Sequence, residues 1–182
     1  MLFARISYIL CLVVGESGRK WSAGSAGVHV LKGEVEQMFL GQYQHSIDSK
    51  GRLTIPSRYR ELLVDDGAYL TQGFDRNLMV LTPDMFERIS QRLNRMSMTE
   101  PNARLLRRLI FSSAERVVVD KAGRILIPDY LKQVAELEGD ANIVGVGEYF
   151  EIWSPDIWDQ QVEQLQDNVA NEQRFALLDL ST

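Results

Sequence analysis

From residue 38 onward, short runs of alternating apolar and polar residues are broken by segments whose apolar positions return every three or four residues. The alternating runs predict strands and the longer period predicts helices. "FLGQYQHSI" (39–47) and "RLTI" (52–55) read as two strands joined across "DSKG". In that junction Asp48 can accept backbone hydrogen bonds, and Gly51 can take the positive φ of a tight turn. Pro56 cannot continue a central strand but suits the first turn of a helix, so "PSRYRELL" (56–63) is predicted helical, with Ser57 available for capping. "AYLTQG" (68–73) and "LMVLT" (78–82) form a second strand pair around "FDRN". A helix begins at "TPDMFERISQRL" (82–93), where Met85, Phe86, Ile89 and Leu93 keep helical spacing and are assigned to the core. A shorter helix is predicted at "PNARLLRRLIF" (101–111).

The pattern then starts again. A shift of 72 residues aligns Asp48 with Asp120, Gly51 with Gly123, Arg52 with Arg124, Ile55 with Ile127 and Pro56 with Pro128, without a gap. Further on, Gly73 falls on Gly145, Pro83 on Pro155 and Phe86 on Trp158. The second copy supplies strands at "ANIVGV" (141–146) and "YFEIW" (149–153), with Asp129 in the place of Ser57. Its helices are "SPDIWDQQVEQL" (154–165) and "NEQRFALLDLS" (171–181). The identities sit on Gly, Pro, Asp and Arg, whose backbone or charge roles are hardest to replace. Two repeats are therefore expected, 38–110 and 111–182. A lone unit of about seventy residues lies near the limit of independent stability, so burying the strands of two copies against one another is the economical solution. The expected fold is α+β, a tandem pseudo-twofold repeat shaped as a barrel with flanking helices.

Composition adds constraints. A chain of 182 residues with 45% hydrophobic content can supply a core. The lone Cys11 allows no internal disulfide, and two histidines without a cysteine cluster leave no usual zinc spacing, so a reducing compartment, no metal and no cofactor are expected. A net charge of −5 argues against nucleic acid until its distribution is considered. Residues 44–124 hold fourteen Lys/Arg against ten Asp/Glu, a net of +4, whereas residues 125–182 hold two against twelve, a net of −10.

The leader stands apart. In "MLFARISYILCLVV" one arginine precedes an apolar run, and "SAGSAG" follows. The run from Ile6 to Val14 is too short to span a hydrocarbon layer of about 30 Å. A cleaved secretory signal, a loose tail and an upstream start ahead of Met38 all fit. Residues 15–37, rich in Gly, Ser and Ala, are expected to be disordered.

The paired motifs "DSKGRLTIP" and "DKAGRILIP", with the opening "MFLGQYQHSID", resemble the MraZ family of bacterial transcriptional regulators, linked to the division and cell wall gene cluster and related to the AbrB superfamily. The resemblance covers residues 38 to about 182. It implies a swapped-hairpin, AbrB-like β-barrel, ring-shaped homo-oligomers, and binding of double-stranded promoter DNA at short repeated elements. It also implies a cytoplasmic, nucleoid-associated location. Chains of the family open at a position like Met38, which favours the upstream-start reading of residues 1–37.

The residues make their own case for DNA. Lys50, Arg52, Arg58 and Arg60 stand against Asp48 alone, and a short turn carries such side chains outward as a basic ridge. Arginine can bond guanine O6 and N7 in bidentate fashion, while lysine more often neutralises phosphate. One monomer offers few contacts, so useful affinity requires several copies on repeated sites. A plainer reading has Asp48 pair with Arg52, and Asp120 with Arg124, merely to fix two turns, with Gly51, Gly123, Pro56 and Pro128 as backbone devices. Arg104, Arg107 and Arg108 read as a solvated helix face. The carboxylates are scattered and no phosphate loop or catalytic triad is present, so catalysis is not expected. The competing function is a ring-forming structural or protein-interaction scaffold. The charge inversion between the copies suggests a division of labour, in which the basic first half faces DNA while the acidic second half approaches a neighbour's basic surface head to tail.

Overall fold

Alternating residues fold as strands where one face can be buried, and here the burial is shared between the two repeats. The computed structural model describes residues 38–63, 67–176 and 178; the expectations for residues 1–37 lie outside them. The first repeat runs β1 (Gln42–Ser46), β2 (Arg52–Thr54), α1 (Ser57–Glu61), β3 (Ala68–Gln72), β4 (Leu78–Leu81), α2 (Pro83–Arg95) and α3 (Pro101–Ser112). The second runs β5 (Glu115–Val117), β6 (Arg124–Leu126), α4 (Asp129–Val134), β7 (Asp140–Gly145), β8 (Tyr149–Trp153), α5 (Pro155–Gln166) and α6 (Asn168–Phe175).

Six strands form an antiparallel sheet in the order β1-β7-β8-β4-β3-β5, and β2 pairs with β6 in a separate two-stranded ribbon. The leading strand of each repeat thus joins the hairpin of the other: β1 lies on β7, and β5 on β3. A pseudo-twofold axis relates the halves. It passes between Leu53 and Ile125 in the ribbon and between Met79 and Glu151 in the sheet, each pair being register partners 72 residues apart. The expected ladder between the strands flanking "DSKG" is reduced to one bridge, Ile47 to Leu53, because β1 and β2 leave the turn for different sheets. Sheet pairing ends at β1 and β5, and the ribbon packs over one face: Leu53 and Ile125 share a core with Leu70, Val80, Ile143 and Ile152.

The repeat is not gapless in three dimensions. Val80 faces Leu70 and Ile152 faces Ile143, yet Val80 and Ile152 are 72 residues apart while Leu70 and Ile143 are 73 apart. The second repeat has gained one residue before Ala141 and lost one in the β7–β8 turn. Strand geometry demands this, since a one-residue offset left uncorrected would turn every side chain to the other face. Gly73 is consequently not the counterpart of Gly145. Gly73 follows β3 and donates its N–H to the Asn77 carbonyl, whereas Gly145 lies within β7, where a Cβ would collide with the Phe39 backbone and the Tyr59 hydroxyl.

The helices follow their prolines. Thr82 caps α2 by accepting the Met85 N–H at 3.3 Å, with Pro83 in the first turn. Met85, Phe86 and Ile89 pack around buried Leu93 and Ile110, so this stripe is core, and Phe86 stacks on Tyr69 at 4.1 Å. Ser57 and Asp129 do not cap. The cap positions of α1 and α4 are Pro56 and Pro128, one residue earlier, and the Pro56 carbonyl takes the N–H groups of Tyr59 and Arg60. The last helix begins at Asn168, before "NEQRFALLDLS", because Asp167 accepts the Ala170 N–H; residues 177 and 179–182 lie outside the described ones. Trp153 and Trp158 are buried around Ile157, whereas Leu165 is exposed. No helix among the described residues is long and apolar enough to cross a membrane.

Candidate nucleic-acid interface

Each "D-x-x-G-R" segment folds around its aspartate. Asp48 Oδ1 accepts the N–H groups of Lys50 (2.9 Å) and Arg52 (3.0 Å), while Oδ2 accepts Arg52 Nε at 2.7 Å and Nη2 at 2.7 Å. The Gly51 N–H closes the turn onto the Asp48 carbonyl at 2.8 Å, with Gly51 at φ 77°. The second copy repeats this: Asp120 Oδ1 accepts the N–H groups of Ala122 (2.9 Å) and Arg124 (3.0 Å), Oδ2 accepts Arg124 Nε (3.0 Å) and Nη2 (2.8 Å), and Gly123 has φ 78°. The ion pairs read from the spacing are therefore both formed. The arginines beside them hold both carboxyls down, Asp48 to about 2 and Asp120 also below its ordinary value, chiefly through side-chain hydrogen bonding.

The turns are tied to each other. Ile55 donates its N–H to the Gly123 carbonyl and Ile127 donates to the Gly51 carbonyl, both at 2.9 Å. Each helix after the ribbon then sends a cation to the other repeat's turn. Arg60 lies against Gly123, so closely that a Cβ there would strike its guanidinium, and its pseudo-equivalent Lys132 sits over Gly51, Nζ 3.4 Å from the place of a Cβ. Lys132 also pairs with Asp129 at 2.8 Å.

Burial of Leu53 and Ile125 turns their neighbours outward, so Arg52, Thr54, Arg124 and Leu126 make up the outer face of the ribbon. Arg52 and Arg124 keep 33% and 27% of their side-chain surface exposed. Lys50 projects from the first turn and Lys121 from the second, both exposed, and Arg58 is exposed on α1. Of the four cations expected on the ridge, Lys50 and Arg58 are exposed and Arg52 and Arg60 are half-buried, Arg60 lying against Gly123. Lys121 was missed. It aligns with Ser49, not Lys50, so the repeat does not mark it as a cation's counterpart, although the turn that carries it was legible.

Two of the three helix arginines serve the chain itself, while Arg108 is exposed as the solvated-face reading expects. Arg107 donates through Nε (2.9 Å) and Nη2 (2.6 Å) to the Leu93 carbonyl and through Nη2 to Met96 O (2.9 Å), closing the end of α2, and Arg104 holds the Met98 and Thr99 carbonyls. No cluster of metal-ligating side chains is present among the described residues.

A family model described as "MraZ protein, putative antitoxin-like" matches residues 38–109 and again 110–179. The chain belongs to the MraZ family. Among curated MraZ relatives, "Transcriptional regulator MraZ" of Thermomicrobium roseum is 44% identical over 128 residues, 70% of this chain and 89% of the relative. The proteins of the same name from Herpetosiphon aurantiacus and Desulforamulus reducens are each 40% identical, over 71% and 74% of this chain and 90% and 99% of their own length. The two family matches meet between Leu109 and Ile110, inside α3.

Proposed function

We propose that this chain is a sequence-specific, DNA-binding transcriptional regulator that acts on short repeated promoter elements, those of the division and cell wall gene cluster. One observation carries the reading: a two-stranded ribbon with Arg52 and Arg124 on its outer face, flanked by exposed Lys50 and Lys121. A ribbon of two strands fits the major groove, arginine reads guanine there, and lysines at the margins neutralise phosphate. The relatives' name supports a regulatory rather than an enzymatic role. One ribbon covers only a few base pairs, so the working form is a homo-oligomeric ring on repeated sites, with the ribbon and sheet as an AbrB-like swapped-hairpin barrel. Cytoplasmic, nucleoid-associated location follows from the same role. Exposed Leu165 and Val169, on and just beyond the acidic end of α5, suit contact with a neighbouring copy and are what a scaffold would also display.

The deciding experiment is a mobility-shift titration on DNA from upstream of the chain's own gene, comparing wild type, Arg52→Ala and Arg52→Lys, with sedimentation to verify assembly. Arg52→Lys keeps the charge and loses the fork, so it should bind with relaxed sequence choice. Equal discrimination by all three would remove Arg52 from the interface. Absence of binding by intact wild-type assemblies would favour the scaffold.

A further inference from the structure

The pseudo-twofold axis through Leu53 and Ile125 makes the outer face of the ribbon nearly self-symmetric, with one break. Arg52 and Arg124 are equivalent by the repeat, but Thr54 is answered by Leu126. In register Leu126 lies opposite Arg52, and Thr54 opposite Arg124. Leu126 is 57% exposed on a face otherwise polar and cationic. A single exposed leucine is ordinary on a protein surface. Its place here is not arbitrary, because it lies beside an arginine on the face presented to a groove.

Resting on the DNA-binding reading above, we infer that Leu126 is a specificity-determining residue that packs against the C5-methyl group of a thymine beside the base pair read by Arg52. The physical basis is the major-groove code, in which thymine alone displays a methyl group and apolar side chains recognise it by exclusion of water. Directly opposed residues on paired strands have Cβ atoms about 5 Å apart, so Arg52 and Leu126 reach adjacent base pairs. Thr54 offers a hydroxyl as well as a methyl group at the equivalent place. The two halves of the ribbon are therefore unequal readers, and the element they read has a direction.

Removing the methyl group tests this without disturbing the protein. Full-length wild type and Leu126→Ala are titrated at fixed salt against the upstream fragment with thymine replaced by uracil, strand by strand and then position by position. Wild type should lose about fourfold in affinity at one thymine of each bound element, the worth of one buried methyl group. Leu126→Ala should bind thymine DNA about as weakly as wild type binds the uracil form, with no further loss on substitution. Leu126→Met, apolar and similar in size, should keep the methyl dependence. Wild-type binding that ignores uracil at every position, or full methyl dependence in Leu126→Ala, overturns the inference while leaving the regulator reading intact. Failure of wild type to bind the unmodified fragment overturns both.

Discussion

Arg124 reaches across the ribbon to Asp48, its Nη1 3.4 Å from Oδ2, the same oxygen that Arg52 Nη2 holds at 2.7 Å. One carboxylate therefore anchors a guanidinium from each repeat, while Asp120 anchors Arg124 from its own repeat. Asp48→Asn should disturb both turns and Asp120→Asn chiefly the second. Amide chemical shifts of Gly51 and Gly123 report the difference: both move in the first variant, mainly Gly123 in the second.

Acid should expose the same arrangement. The Asp48 carboxyl is held at about 2 against an ordinary 3.8. A depressed folded-state pKa contributes stability that is complete above the unfolded value and is lost as pH falls through the folded one. Melting temperature should therefore fall between about pH 4 and pH 2, and Asp48→Asn should flatten that slope. Glu151 acts with the other sign. Burial raises its pKa, so its contribution is present below the unfolded value and lost as pH rises through the raised one. Glu151→Gln should reduce the loss of stability on that rising side.

Glycine at position 123 serves two needs. Gly139, at φ 76° with open space around its missing side chain, supplies the control: Gly139→Ala should cost about 1–2 kcal/mol for the left-handed backbone alone. Gly123→Ala adds the collision with Arg60 and should cost more, with part recovered by Arg60→Ala. At Gly51 a Cβ would lie 3.0 Å from the Ile127 carbonyl oxygen, which is backbone, so Lys132→Ala should bring no such recovery. Urea unfolding of the single and double variants measures all of these.

What was legible in the sequence is what local chemistry decides. The Asp-x-x-Gly-Arg turns, the helices launched after Pro56, Thr82, Pro128 and Ser154, and the Met85–Phe86–Ile89–Leu93 stripe each need only a few neighbouring residues to specify them. Exchange of leading strands between repeats is different, because β1 alternates in the same way whether it lies on β3 or β7. The extra residue before Ala141 was hidden by coincidence. Gly73 and Gly145 align by identity, and only the inward set Ala68, Leu70, Ala141 and Ile143 shows the true correspondence. Side-chain reach was the other blind spot: nothing local to "RLLRRL" says that Arg107 serves α2, or that Arg60, two residues from exposed Arg58, turns back to a glycine in the other repeat.

Arg107→Ala should destabilise the protein by about 1–3 kcal/mol, since it releases carbonyls at the end of α2 that a charged donor now holds. Arg108→Ala, on the exposed side of the same helix, should stay within about 0.5 kcal/mol. Thermal unfolding of the pair separates the fastener from the solvated charge.

Salt dependence should reveal Lys121. If Lys50 and Lys121 each neutralise one phosphate, removing either lowers the slope of log affinity against log salt by about 0.9, with little change in sequence preference. The double variant should lose about twice that, and binding isotherms across a salt series measure it.

Exchange of leading strands also sets a timetable for synthesis. β1 leaves the ribosome roughly a hundred residues ahead of β7, its partner, so its backbone groups must stay hydrated until the second repeat has emerged. The first repeat cannot be finished as a nascent unit, and folding is deferred to release of nearly the whole chain. During that interval the waiting strand is an open edge, and a neighbouring nascent chain of the same sequence offers it an equally suitable β7.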